Sequence, residues 1–199
     1  MTKFDNFTSR ACLVPLMDLD DFAPDLKDFA KDTVEKTGRL SNSLRAMAHA
    51  DDLALQARLF LTAAGSGGSL GREFALLIRL AVSNINTCVY CSTHQIKQMV
   101  KMGLPSEKIK NIHDFMDHPA FNEEERAALA FAVALTRDAS NIADDICARF
   151  VEVFNPRQRI EIALVATAMG VLNSFNDGLR IPIEDEALDV ARDVAELFE

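Results

Sequence analysis

The chain has 199 residues, is 49% hydrophobic, and sets 30 acidic against 21 basic side chains for a formal net charge of −9. That length suits one domain able to bury a core without disulfides or metals, and the acidic balance argues against nucleic acid or an anionic membrane as partner, since both need a basic face. The first 15 residues lack the apolar segment of a signal peptide, and the longest near-apolar run, 162–172, is too short to span a bilayer, so a cytoplasmic, soluble protein is expected.

In chain order the apolar spacing predicts helix after helix. Pro24 opens the first, with Leu26, Phe29, Ala30, Thr33 and Val34 on one face and Gly38 closing it. Ser41 is placed to cap a short helix through Leu44 and Met47, and Asp51 to cap another that runs out in the cluster Gly65-Ser66-Gly67-Gly68. An apolar helix follows from Glu73 to Ile85. A helix through Ile96, Met99 and Val100 then ends at Gly103, before Pro105. Ile109 to Met116 reads as one helix. Asn122, with Glu125 three residues on, caps the next. After Ile142 to Phe154, Asn155-Pro156 opens the longest helix, apolar nearly all round from Ile160 to Leu172 and expected to be buried; 184–198 reads as an acidic terminal helix. No segment alternates between hairpin turns, so the fold class is all-α.

The chemistry concentrates in Asn86-Thr87-Cys88-Val89-Tyr90-Cys91-Ser92-Thr93-His94, which holds two of the four cysteines and one of the four histidines. With Thr87 as the expected N-cap, Cys88 and Cys91 fall in the first turn of a new helix, where free N–H groups and the helix dipole favour thiolate. In a reducing compartment such a pair is redox-active or metal-binding more often than structural. A closed zinc site needs a fourth ligand beyond Cys88, Cys91 and His94, and the spacings of Cys12, His49, His113 and His118 offer none, so no metal or other cofactor is expected.

The order of features resembles the alkylhydroperoxidase D (AhpD) and carboxymuconolactone decarboxylase family, in its peroxidase-related branch. The matching pieces are Arg72-Glu73 before Leu80-Ala81-Val82-Ser83, the Cys88/Cys91 pair with His94, and Gly103-Leu104 before Glu107-Lys108-Ile109. Glu125-Arg126 before Leu129-Ala130-Phe131-Ala132 and the stretch 173–182 match as well. The resemblance implies an AhpD-like bundle of about eight to ten helices forming one domain over 1–199. Its family-like core spans about 44–182, with a helical extension over 1–43 and a terminal helix over 184–198. It further implies a homo-oligomer that reduces hydroperoxides, with Cys91 attacking and Cys88 condensing with the resulting sulfenic acid. Glu73 and His94 would form the proton relay, and a lipoyl or thioredoxin-like thiol protein would act as reductant.

Two spacings depart from that family. His94 comes three residues after Cys91 where four is usual, and Glu73 precedes Cys88 by fifteen where about twelve is usual, Leu76 taking the customary place. The histidine is therefore expected to serve Cys91 rather than Cys88. A relay matters because a thiol lowered from about 8.5 to about 6.5 gains roughly 25-fold in thiolate at pH 7 but loses roughly tenfold in nucleophilicity. Protonating the departing alkoxide supplies the rest. Helix-terminus electrostatics alone favours Cys88 as the attacking thiol, the resemblance Cys91. Two other function classes fit the same residues: a cofactor-free decarboxylase or isomerase acting on a small lactone or keto acid with His94 as base, and a non-catalytic helical assembly module.

Overall fold

The structure, a computed structural model, describes residues 3–196. Its α-helices are α1 (Lys3–Ser9), α2 (Pro24–Thr37), α3 (Asn42–Met47), α4 (Asp51–Gly65), α5 (Arg72–Ile85), α6 (Val89–Lys101), α7 (Ser106–Lys110), α8 (Glu123–Arg137), α9 (Asp144–Val153), α10 (Pro156–Gly178) and α11 (Leu188–Glu196), joined by short 3₁₀ turns. No strand occurs among the described residues, and no helix is long and apolar enough to cross a membrane. Residues 197 and 198 of the expected terminal helix lie outside the described residues; what is described of it is a 3₁₀ turn, Asp185–Ala187, followed by α11.

The capping chemistry explains most boundaries. Gly38 ends α2 in the left-handed region, φ +83°, as its lack of a Cβ allows. Ser41 caps α3 by accepting from the Leu44 amide, and Asn122–Glu125 and Asn155–Gln158 form reciprocal capping boxes that start α8 and α10. Glu125 also takes the Lys108 ammonium, so this buried carboxylate is spent on structure. Three readings change. Asp51 is the first helical residue of α4 rather than its cap. The predicted 109–116 helix divides into α7 and a 3₁₀ turn at Ile112–Asp114. In α10, Ile160, Leu164 and Val171 are exposed on one side, so the helix is half-covered rather than buried all round.

α5 is the central element, with Leu76, Ile78, Leu80 and Val82 fully enclosed between α6, α8 and α10. α6 lies between α5 and the C-terminal helix α11, which also packs on α1. The amino-terminal region is not a loose appendage. Phe22, Leu26 and Ala30 bury against Leu44, Met47, Leu61 and Ala168, forming a second apolar cluster that fixes the entry to α3 and α4.

Between α4 and α5 the chain turns through Gly67 at φ +79°, where a Cβ would collide with the Gly71 carbonyl. Gly38 shares the positive φ but has open space around it. Gly67→Ala should therefore cost more than the roughly 1–2 kcal/mol expected for left-handed strain alone in Gly38→Ala. Paired denaturant unfolding curves check the order; equal losses would contradict it.

Candidate active site

Two backbone turns build the site. α5 ends with Thr87 in the left-handed region, φ 52°, the Thr87 amide bonding Asn84 O and the Cys88 amide bonding Ser83 O, both at 3.0 Å. This is a Schellman closure with a β-branched residue where glycine is usual. α10 ends the same way on Arg180, φ 57°, with bonds from Arg180 N to Asp177 O (3.2 Å) and Ile181 N to Asn176 O (2.8 Å). Thr87 and Arg180 are the non-glycine residues at positive φ among the described residues. One delivers Cys88 to the start of α6; the other sends residues 181–184 back across that helix.

Because Thr87 is spent on the closure, Cys88 rather than Thr87 is the N-cap of α6, and its Sγ accepts from the Cys91 amide at 3.4 Å. The first turn is α-helical, Ser92 N bonding Cys88 O at 3.0 Å. Both thiols are free and buried. The expected helix-terminus activation of Cys88 does not survive burial: desolvation, the neighbouring Cys91 and the Asp177 carboxylate push the Cys88 thiol well above its ordinary range. Asp177 in turn is raised by burial, opposed by its hydrogen bond with that thiol. Cys91 sits differently. The Asn176 amide on α10 donates to its Sγ at 3.3 Å, and the end of α10 is held by a bond from Asn173 Nδ2 to Ser83 Oγ (3.2 Å) and one from Asn86 Nδ2 to Asn173 Oδ1 (2.8 Å).

One turn past Cys91, His94 is 5% exposed. Its Nε2 lies 2.7 Å from Glu184 Oε2 and its ring meets Tyr90 edge-on, centroids 4.6 Å apart. The other oxygen, Glu184 Oε1, accepts from Tyr90 OH (2.8 Å) and from the Asn42 amide (2.7 Å), with Arg39 Nη1 at 3.5 Å. Burial works to raise the Glu184 pKa, but this set of donors outweighs it and holds the carboxyl at about 2. His94 is lowered by burial and by Arg39, against the pull of Glu184, so it is neutral at neutral pH. A neutral imidazole giving its Nε2 hydrogen to Glu184 keeps a lone pair on Nδ1, a buried atom with no partner.

Glu73 is not brought to this cluster. It is exposed in the first turn of α5, a helix of 14 residues whose far end leads to Cys88, about 20 Å along the axis. Leu76, at the family's customary glutamate place, is fully buried in the core. The carboxylate partner of His94 is Glu184, ninety residues further on and unmarked by any local pattern. Gln95, four residues after Cys91 and 3% exposed, was also missed; its Oε1 is unpartnered.

Comparison with known proteins agrees with this architecture. Residues 52–134 match the carboxymuconolactone decarboxylase family. Over 109 residues, 54% of this chain and 72% of the relative, the sequence is 27% identical to the uncharacterized protein YdfG of Bacillus subtilis (strain 168). The fold matches that of the debrominase Bmp8 bound to 2,3,4-tribromopyrrole, with a TM-score of 0.81 and 23% identity over 96% of this chain and all of that one. It also matches a peroxidase-related protein with the alkylhydroperoxidase AhpD core from Ralstonia eutropha JMP134, with a TM-score of 0.77 and 18% identity over 92% of this chain and 97% of that one. The stretch 52–134 is thus similar to the carboxymuconolactone decarboxylase family, and the chain as a whole has the AhpD-like fold.

The two acid–base groups predict the pH profile of stability. As pH falls below 6.5 the unfolded chain's imidazole takes a proton that folded His94 refuses, so stability declines. From about 4.5 towards 2 the depressed Glu184 adds a further loss of about 3 kcal/mol. Urea unfolding against pH should show this acid limb in the wild type and a shallower limb below pH 4.5 in Glu184→Gln. An equally steep limb in the variant would contradict the assignment.

Proposed function

We propose that the protein is an enzyme, a thiol-dependent peroxidase in which Cys91 attacks and Cys88 resolves. The observation that carries this reading is where unsatisfied polarity collects. With Glu184 Oε2 taken by His94, the buried side-chain atoms without a hydrogen-bond partner among the described residues are Ser43 Oγ, Arg58 Nε, His94 Nδ1, Gln95 Oε1 and Asn176 Oδ1. Four of these five belong to a residue on α6 or to one that hydrogen-bonds Tyr90 or Cys91, and the fifth, Arg58, reaches Ser41 at the start of α3. Folding leaves such atoms unpaired at a cost of about 1–3 kcal/mol each, and their gathering at one dithiol marks a place built for something that binds or reacts.

The steps follow from the groups present. His94 Nδ1 takes the proton from the Cys91 thiol, and Glu184, anionic throughout, stabilises the imidazolium by its 2.7 Å contact. The Cys91 thiolate attacks the distal peroxide oxygen, the O–O bond breaks, and the departing alkoxide takes the proton from His94. The products are an alcohol and Cys91 sulfenic acid. The Cys88 thiol then displaces hydroxide from the sulfenic sulfur, yielding the Cys88–Cys91 disulfide and water. A dithiol reductant closes the cycle by thiol–disulfide exchange. Cys88 suits the resolving role because it stays protonated against Asp177. Cys91 suits the attacking role because an amide N–H, not a carboxylate, faces its sulfur. Glu184 is a positioning residue; it touches the base, not the peroxide. The debrominase neighbour shares the fold at 23% identity, and fold alone does not select between such chemistries.

Stoichiometric peroxide should remove two of the four thiols per chain, and dithiothreitol should restore them. Cys88→Ser should leave Cys91 as a sulfenate that a dimedone probe captures, while Cys91→Ser should not react. His94→Ala should slow the oxidation by roughly 10²–10⁴-fold, and Glu73→Gln should leave it unchanged. A full thiol count after peroxide in the folded protein would overturn the peroxidase reading, and loss of oxidation in Glu73→Gln would overturn the relay.

A further inference from the structure

Gln95 has no part in these steps, yet its side chain is enclosed at the midpoint of α6, 3% exposed, with the carbonyl oxygen Oε1 left without a partner. A buried carbonyl that gives up water for nothing is a net cost to folding, and an apolar side chain of the same size would avoid it.

Helix geometry places this amide over the attacking cysteine. Side chains on an α-helix lean towards its N-terminus, over the residues three and four positions earlier. α6 shows the lean directly: His94 meets Tyr90, four residues before it, with ring centroids 4.6 Å apart, and Thr93 Oγ1 donates to Val89 O at 2.7 Å. By the same lean Gln95 lies over Cys91 and Ser92, with about 5–6 Å between Cβ atoms. Ser92 offers it no hydrogen, because its hydroxyl donates to Asn84 Oδ1 at 3.1 Å. What remains beneath the amide is Cys91.

The polarity of the unpaired atoms gives the chemistry of what fits there. Asn176 of α10, 2% exposed, donates from Nδ2 to Cys91 Sγ at 3.3 Å and keeps a buried Oδ1 without a partner. One turn along from Cys91, His94 Nδ1 is unpaired as well. All three atoms are acceptors: two amide carbonyls and, with the imidazole hydrogen given to Glu184, a nitrogen lone pair. The Cys91 thiol has a single hydrogen to give, and the imidazole takes it at the first step, so both carbonyls still lack a donor. An anion would bring only more acceptors and meet the negative ends of two carbonyl dipoles. A neutral O–H fits, and a hydroperoxide carries one on its distal oxygen, the atom that the thiolate attacks.

We infer that Gln95 is a substrate-orienting residue: its Oε1 accepts the hydrogen of the hydroperoxide and holds the distal oxygen over Cys91 Sγ, selecting neutral hydroperoxides over anionic oxidants and over those without an O–H. The inference rests on the proposed function for the reaction itself. The thiolate forms its bond to the distal oxygen as the O–O bond breaks, and the alkoxide leaves with the proton from His94. The distal O–H thereby becomes that of the Cys91 sulfenic acid, its hydrogen still held by Gln95.

Gln95→Met tests this, since methionine matches glutamine in length and lacks its amide. Loss of the free Cys91 thiol to tert-butyl hydroperoxide should slow by about tenfold, the effect of leaving a buried O–H without its partner. Loss of the same thiol to methyl methanethiosulfonate, which has no O–H or N–H, should keep its wild-type rate; peptide mass spectrometry reads Cys91 in both reactions. Urea unfolding should show the same or a higher midpoint, because the substitution removes an unpaired buried polar atom. Equal hydroperoxide rates in variant and wild type overturn the inference and leave the peroxidase reading standing. Rates with both reagents that fall together, or a lower unfolding midpoint, make Gln95 a support of the helix or of the thiolate and also overturn it. A wild type that keeps all its thiols under peroxide overturns the peroxidase reading and the inference with it.

Discussion

The Glu184 carboxylate is drawn into the interior, 7% exposed, and held there by hydrogen bonds and an ion pair from three parts of the chain. His94 and Tyr90 come from α6, the Asn42 amide from the start of α3, and Arg39 from the turn before it. A buried carboxylate with one donor would be a liability; with this set it stays ionised and ties its surroundings together. The amino-terminal helices, the cysteine helix and the chain leaving α10 are thereby registered against one another at a single group. The same contact fixes which nitrogen of His94 holds the proton and leaves the other with a free lone pair.

Holding that group in place imposes backbone constraints. Thr87 and Arg180 adopt left-handed conformations that cost roughly 1–2 kcal/mol each in an L-residue, and both terminate helices directly beside the site. The first makes Cys88 the cap of α6; the second redirects the chain so that Ile181 seals the core and Glu184 faces His94. Strain and unpaired polar atoms thus coincide in one region, while elsewhere the helices follow ordinary capping and packing rules. Cys88 and Cys91, though adjacent on one helix, are made unlike by what α10 presents to them: a carboxylate to one and an amide to the other.

Much of the fold was legible because helices are local. The capping boxes at Asn122 and Asn155, the stop at Gly38 and the apolar period of α5 all lie within a few residues of what they control. The cysteine pair and His94 were legible for the same reason. Glu184 was not: it meets His94 only through the turn at Arg180, and from sequence it reads as one more acid ahead of an acidic helix. The three-residue spacing of His94 from Cys91 was the one hint that this histidine pairs with a carboxylate other than Glu73, which lies at the far end of α5 from Cys88. Thr87 was assigned as a cap on residue type, but the Schellman closure of α5 claims it first. The exposed side of α10 was hidden in a composition too apolar for periodicity to divide.

The arrangement depends most directly on the protonation of one ring. Nitrogen-15 NMR of the protein labelled at histidine, with His94 assigned by its absence in His94→Ala, reads tautomer and charge together. The expected result is a neutral His94 at pH 7 with its hydrogen on Nε2 and a lone pair on Nδ1, and a loss of that tautomer preference in Glu184→Gln. An Nδ1-protonated ring or an imidazolium at pH 7 in the wild type would contradict it.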